Sequence, residues 1–564
     1  MTNRSDVLVV GAGFAGMYAL YRYRNQGLNV TVLEAGSDVG GTWYWNRYPG
    51  ARCDVPSLEY SYGFSEALEQ EWDWPEVFSA QPDILRYANH VADRFDLRRD
   101  IRFNTRVVAL EYLEADNLWR ATTEQDEQLE AQFCVMATGC LSVPNKPKLP
   151  GADSFQGTVL YTGLWPKEPV DLTGCRVGII GTGSSGVQAI PELARQAGHL
   201  TVFQRTPVYT VPANRKRMRA DVQQEFRDNY RAIREMQQNN AGGISNFRPV
   251  RSVKRSVAES STSTSATAIP TTSLPASSLS APALAPNKIL NLTPEERLAL
   301  VQARGLNMLL TFRDVYTDPE ANEAANETFR EAISSMVDDP TVGERLSPTT
   351  YGLGCKRQVL DRDYYDTFNR DNVTLVDLIE SPIETITAKG IRTSAKHHDL
   401  DLLIYATGFD AMTGALLKAN IRGRDGKRLA DKWRDGPVAY LGLQMHGFPN
   451  LFTITGPGSP SVLSNMLVAI EQHVNWIGDC IEYLGTNNLQ NIEPEPAAEV
   501  DWVTHVNEVA KGTMYTTPSC NSWYLGSNVP GKPRIFMPYV GGYPRYRERC
   551  EQVVANGYEG FRLG

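Results

Sequence analysis

Two stretches of one form constrain this chain most: GAGFAG, with Gly11, Gly13 and Gly16, and GTGSSG, with Gly181, Gly183 and Gly186. Each follows a short apolar run, DVLVV or RVGII, and each opens a segment of helical spacing. In such a turn the first glycine permits the tight bend. The second lets backbone approach a pyrophosphate, and the third lets helix and strand pack closely. The phosphates then meet the free N–H groups and the dipole of a helix N-terminus. Strand alternating with helix predicts a parallel sheet covered by helices. Two such turns predict an α/β fold with two Rossmann-like dinucleotide-binding domains.

The residue after each second strand separates the two sites. The first site has Glu34, a carboxylate that accepts bonds from ribose hydroxyls and suits an adenosine without a 2′-phosphate. The second has Arg205 and Thr206; an arginine cannot accept from ribose but can clamp a 2′-phosphate. The second site therefore predicts NADPH rather than NADH, and one chain with an FAD-type site and an NADPH-type site is most simply an NADPH-dependent flavoenzyme. Downstream of Glu34, Trp43 stands where flavin disulfide reductases carry a redox cysteine. Ala137-Thr138-Gly139 and Ala406-Thr407-Gly408 put small residues at two further strand ends, as in two-dinucleotide flavoproteins.

At 564 residues the chain is too long for one ordinary core. Its net charge of −9 argues against a nucleic-acid or anionic-membrane binder, and no apolar run reaches the length of a membrane span. Eight scattered cysteines with no CxxC pair or zinc spacing predict free thiols in a reducing cytoplasm and no metal. The adjacent His397–His398 pair reads as a solvated loop. Residues 213–345 turn helical in pattern, interrupted by a Ser/Thr/Pro-rich segment, 257–287, which carries no charge from 260 onward and is read as flexible.

With these residues in view, the chain resembles the type I Baeyer–Villiger monooxygenases, class B flavoproteins, and within them the phenylacetone- and cyclohexanone-oxidising branch. The resemblance rests on GGTWYWNRYPGARCDVPSLEYSY, GTGSSG, VFQRTP, GCKR, ATGFDAMTGAL, GPGSPSVLSNM and SWYLGSNVPGKPR, and spans nearly the whole chain. The family fingerprint F-x-G-x-x-x-H-x-x-x-W-[P/D] matches at Phe155, Gly157, Trp165 and Pro166, with Tyr161 in place of histidine. In the family this segment is associated with relative domain movement, so the departure bears on coupling and pH dependence rather than reaction type. Phe155 and Trp165 read equally as packing residues at a linker.

The resemblance implies FAD-binding parts at 1–143 and 396–564 around an NADPH-binding part at 144–395, with a mobile loop near 515–535. It implies that NADPH reduces FAD and that O2 then gives a flavin peroxide. This peroxide inserts oxygen into a ketone, giving an ester or lactone, with sulfide oxidation as a side activity. A cation must stabilise the peroxide anion; at ~4 Å and an effective dielectric of ~20 it contributes roughly 4 kcal/mol. Arg357 matches the family's catalytic arginine and Asp54 the acid that contacts it. Gly41, Thr42, Trp43, Asp54 and Tyr60 match flavin contacts, and Ser184, Ser185 and Lys356 match nicotinamide-nucleotide contacts. Trp523 matches a loop tryptophan that packs over the cofactor, with plain structural packing as the alternative. Leu141, Gln444 and Met445 fall in pocket-lining regions. Competing readings are a sulfur or nitrogen oxygenase, which Trp165 and Lys356-Arg357 oppose; an NADPH oxidase releasing H2O2, which Tyr161 motivates; and a non-catalytic regulator. The expected partners are a small ketone and O2, met by a monomer with neither nucleic acid nor membrane.

Overall fold

The computed structural model describes residues 4–213, 217–245, 247 and 288–564; the segment 257–287 lies outside the described residues. Strand Arg4–Val10 ends in four consecutive buried residues, as expected for a strand covered on both faces. It lies between Val30–Leu33 and Gln128–Met136, parallel to both. These strands are the centre of an eight-stranded sheet that also takes in Ile101–Arg102, Val107–Leu113, Leu118–Thr123, Ile421–Arg422 and Leu451–Thr453. The last two strands come from far along the chain, so the first unit is closed by its C-terminal part. Helix Phe14–Asn25 packs on the long helix Met466–Thr486, with Tyr18 donating to Asn475 at 2.8 Å.

A second sheet is wholly parallel, in the order Val373–Asp377, His199–Gln204, Arg176–Ile180, Leu402–Tyr405, Thr158–Tyr161. Leu402–Tyr405 pairs within this sheet, past the boundary expected at 395/396. The second unit therefore runs at least to Tyr405, because the strand's register with Val177–Ile180 ties it there. Thr158–Tyr161 is an edge strand of the same sheet rather than a free connector. The helical segment supplies Ala220–Asp228, Tyr230–Gln238, Pro294–Arg304, Pro319–Ser334 and Pro340–Leu346. Among the described residues no helix is long and apolar enough to cross a membrane.

The histidine pair is not a solvated loop. It forms the short strand His397–Asp399, because alternation turns His398 inward against Phe203 (ring centroids 5.2 Å) and His397 outward onto Thr387 at 2.8 Å.

Candidate active site

Both glycine turns have the geometry that dinucleotide binding needs. Gly11 has φ +106°, and a Cβ there would lie 2.7 Å from the Ala137 carbonyl oxygen. Gly181 repeats this at φ +110°, 2.5 Å from the Ala406 carbonyl oxygen. The small residues of the two ATG strand ends are therefore what each turn rests on. Gly16 and Gly186 pack their helices against the carbonyls of Gly11 and Gly181. The helices Phe14–Asn25 and Ser184–Gln196 start at Gly13 and Gly183 with no side-chain cap, which leaves first-turn N–H groups for an anion. Gly183 and Ser184 are exposed, Ser185 is half-buried, and a Cβ on Gly183 would meet nothing within 4 Å.

Glu34 is almost fully buried and accepts from the backbone N–H of Ala12 at 2.7 Å and of Gly36 at 2.6 Å. Burial pushes its carboxyl up, and the two N–H bonds only partly offset this. It thus braces the turn as well as standing at the ribose position. Gly41 opens the short helix Thr42–Trp45 against Gly13, and Trp43 donates its indole N–H to Tyr60 at 3.1 Å.

At the second site Arg205 is exposed, and the Thr206 carbonyl accepts from Thr182 at 2.9 Å. Lys356 sits over the Tyr351 ring, 4.1 Å from its centroid. Burial first, and the Arg205 charge second, push the Lys356 ammonium down to about 8. Two cations that repel each other, with no ion pair to a described carboxylate, form a site that an anion would relieve.

Arg357 binds Asp54 through Nε and through Nη2, the latter at 2.8 Å, and its Nη1 donates to the Val462 carbonyl. Asp54 belongs to the first unit and Arg357 to the segment after the helical insertion, so this pair ties the two units together. Side-chain exposures are 30% and 27%, so water still screens it partly. Burial opposes ionisation of Asp54, but the Arg357 charge and hydrogen bonds outweigh it and hold the carboxyl below its usual range. Burial likewise opposes the Arg357 charge, and Asp54 together with the Tyr524 hydroxyl more than reverses that. The same RYPGARCD stretch docks on the second unit's helix, where Tyr48 donates to Gln188 at 2.9 Å.

Tyr524 was not singled out in the sequence, although its neighbour Trp523 was. The two rings lie 4.4 Å apart; Tyr524 is buried and Trp523 half-buried. Their segment is moored to the ATGFD strand end: Asn528 donates to the Phe409 carbonyl at 2.7 Å, and Lys532 pairs with Asp410 at 2.6 Å. The free-thiol expectation is corrected here. Cys355 and Cys520 form a disulfide, because folding brings segments 165 residues apart to a Cα–Cα distance of 5.6 Å. The other six cysteines are free. The available signal was one cysteine beside each of GCKR and SWYLG.

The fingerprint residues are held by the second unit. Gly157 lets Phe155 and the Asp401 carbonyl approach, and Trp165 is buried in that unit's core. Tyr161 stacks on Tyr405 (centroids 5.0 Å), with the Lys146 ammonium 5.2 Å over its ring. Gln444 and Met445 are fully buried, while Leu141 is half-buried.

Two uncapped helix N-termini behind close-approach glycines, one beside a carboxylate and one beside two cations, fit a flavin dinucleotide and a phosphorylated nicotinamide dinucleotide. Fold and site therefore define a two-dinucleotide flavin oxidoreductase. A family profile of pyridine nucleotide-disulphide oxidoreductases matches residues 8–269. Trp43 lacks that family's redox thiol. The chain is 39% identical to 2-oxo-Δ3-4,5,5-trimethylcyclopentenylacetyl-CoA monooxygenase of Pseudomonas putida, covering 100% of both chains. It is 40% identical to a Baeyer–Villiger monooxygenase of Pseudooceanicola batsensis, covering 98% of this chain and 95% of that one. A solved structure, an oxidized steroid monooxygenase bound to NADP, superposes with a TM-score of 0.87 at 44% identity, covering 99% of each chain. The chain belongs to the Baeyer–Villiger monooxygenases.

Proposed function

We propose that this chain is an FAD- and NADPH-dependent monooxygenase that inserts one oxygen atom of O2 into a ketone to give an ester or lactone. The observation that carries this is Arg357, a permanent cation fixed by Asp54, the Val462 carbonyl and Tyr524 where the two units meet. Bound FAD, reduced by NADPH, supplies the activation of O2; the protein supplies position and field. Gly11, Gly13 and the N-terminus of helix Phe14–Asn25 cradle the flavin pyrophosphate, Glu34 takes the ribose, and Gly41, Thr42, Trp43, Asp54 and Tyr60 line the flavin's approach. Gly181, Gly183, Ser184, Ser185 and Gly186 hold the second pyrophosphate. Arg205, Thr206 and Lys356 select the 2′-phosphate, since each charge-assisted bond contributes about 1.5–3 kcal/mol. Arg357 stabilises negative charge developing on oxygen, and Asp54 aims it. Trp523 and Tyr524 cover the site and exclude water. The working unit is a cytoplasmic monomer.

The test mixes FAD-loaded protein, NADPH and air with linear, aryl and cyclic ketones, quantifying ester or lactone by mass spectrometry and H2O2 in parallel. Product should account for most of the NADPH used. Arg357→Ala should abolish product while NADPH-dependent flavin reduction persists. Ester formation surviving that change would remove Arg357 from its role. H2O2 with no product from any ketone would favour the oxidase reading that Tyr161 motivates, and Tyr161→His in the same assay would then separate the wrong ketones from an uncoupled enzyme.

A further inference from the structure

Two of the eight cysteines flank the machinery just described. Cys355 immediately precedes Lys356 and Arg357, and Cys520 lies shortly before Trp523 and Tyr524. Both are fully buried and joined to each other. The Cys520 carbonyl accepts from Arg534 at 2.9 Å, and Arg534 also reaches the Thr517 carbonyl at 2.8 Å. The outgoing and returning arms of the covering segment therefore meet at the disulfide. Beyond it, residues 523–537 are held by non-covalent links alone: the Lys532–Asp410 pair, hydrogen bonds from Lys532 to the Ala411 carbonyl, from Asn528 to the Phe409 carbonyl, from Asn145 to the Asn528 carbonyl and from the Gly458 N–H to the Met537 carbonyl, and the buried side chains of Tyr524, Leu525, Phe536 and Met537. Such links open and reclose on their own, whereas a covalent link does not.

We infer that Cys355–Cys520 is a thiol–disulfide modification site that clasps residues 520–537 onto the Arg357 segment, so that its oxidation state sets how readily the site opens to water. The inference rests on the proposed roles of Arg357 and of the covering segment. The chemistry balances with hydrogen peroxide as oxidant. Two thiols and H2O2 give one disulfide and two waters: the sulfurs lose two electrons, the O–O bond breaks, and both thiol protons leave in water. A dithiol reductant reverses this, forming two thiols here while its own pair becomes a disulfide. H2O2 is also what leaking NADPH oxidation releases, so a leak generates the oxidant that closes the clasp. Because both sulfurs are buried, a reductant reaches them only when the segment lifts.

The experiment uses the full-length, FAD-loaded enzyme after H2O2 treatment, compared with the same enzyme reduced by dithiothreitol and freed of reductant. Alkylation under denaturing conditions should count six thiols in the first and eight in the second, with the two missing thiols mapped to a Cys355–Cys520 peptide. Tryptic cleavage at Arg534 should run at least ~5-fold faster in the reduced enzyme, as expected for a segment freed to open locally. The H2O2 released per NADPH should rise ~2–5-fold, from more frequent entry of water. Cys520→Ser and Cys355→Ser should each match the reduced enzyme and no longer respond to dithiothreitol, while Cys175→Ser responds as the parent does. Eight thiols after H2O2 treatment, or cleavage and leak indifferent to reduction, overturns the inference. Thiol count and proteolysis do not depend on ketone oxidation, so failure of the proposed function would show separately.

Discussion

Replacing Asp54 by asparagine keeps the shape of the Arg357 contact and removes its charge. Two opposite charges ~4 Å apart at an effective dielectric of ~20 interact by roughly 4 kcal/mol. The side chains here are 30% and 27% exposed, so solvent screening must be discounted. Asparagine also retains one acceptor for the Nη2 donor now at 2.8 Å from Asp54. About 1.5–2 kcal/mol of orienting energy should be lost, between the values typical of exposed and buried pairs. At about 1.4 kcal/mol per tenfold, ketone turnover should fall roughly 10–30-fold. Flavin reduction by NADPH, followed at the flavin absorbance in anaerobic stopped flow, should stay within about threefold, because the role proposed for Arg357 comes after it. The two rates are therefore measured side by side. Equal loss of both would mean the substitution disturbed cofactor binding. Turnover within about twofold of the parent would refute the claim that the pair positions Arg357. Acid stability provides a second reading of the same variant. The folded carboxyl lies below its unfolded range, so the pair's contribution is complete above the unfolded value of about 4 and is lost as pH falls through the folded value. The asparagine variant should lack that part of the acid transition.

Three further outcomes are expected. Arg205→Ala should raise the KM for NADPH about 10–100-fold and leave that for NADH within about threefold, since in the proposed site only the 2′-phosphate would lose a charge-assisted bond; initial rates with both nucleotides check it. His473 is fully buried, accepts from the Thr455 N–H at 2.9 Å, and is pushed by burial down to about 3. Its folded value lies below the unfolded one, so stability is complete above about 6.5 and declines toward about pH 3 by up to ~1.4 kcal/mol per pH unit; His473→Asn should flatten the Tm-against-pH curve over that window. Tyr161→His should lose the stacking on Tyr405, about 0.5–1.5 kcal/mol, and raise product formed per NADPH; a ratio unchanged within error would mean that Tyr161 does not limit coupling.

The sequence by itself determined what depends on a few neighbouring residues. The two glycine turns, their strands and helices, and the Glu34 and Arg205 positions follow from steric allowances and hydrogen-bonding demands within about 30 residues, the span of one βαβ unit. The sequence led to the expectation of Glu34 as a ribose acceptor but did not show it as the brace for the N–H groups of Ala12 and Gly36, because that depends on how tightly the turn folds back over the next strand. Only the tertiary structure decided the rest. Leu402–Tyr405 joined the second sheet because a strand's partner is chosen by register with distant backbone, which no local pattern carries. His398 turned inward for the same reason. Cys355 met Cys520, and Tyr524 reached Arg357, through the packing of one unit's loop on the other's strand ends. Spacing along the chain says nothing about such meetings, since the distance between two residues in a fold is set by the whole path between them.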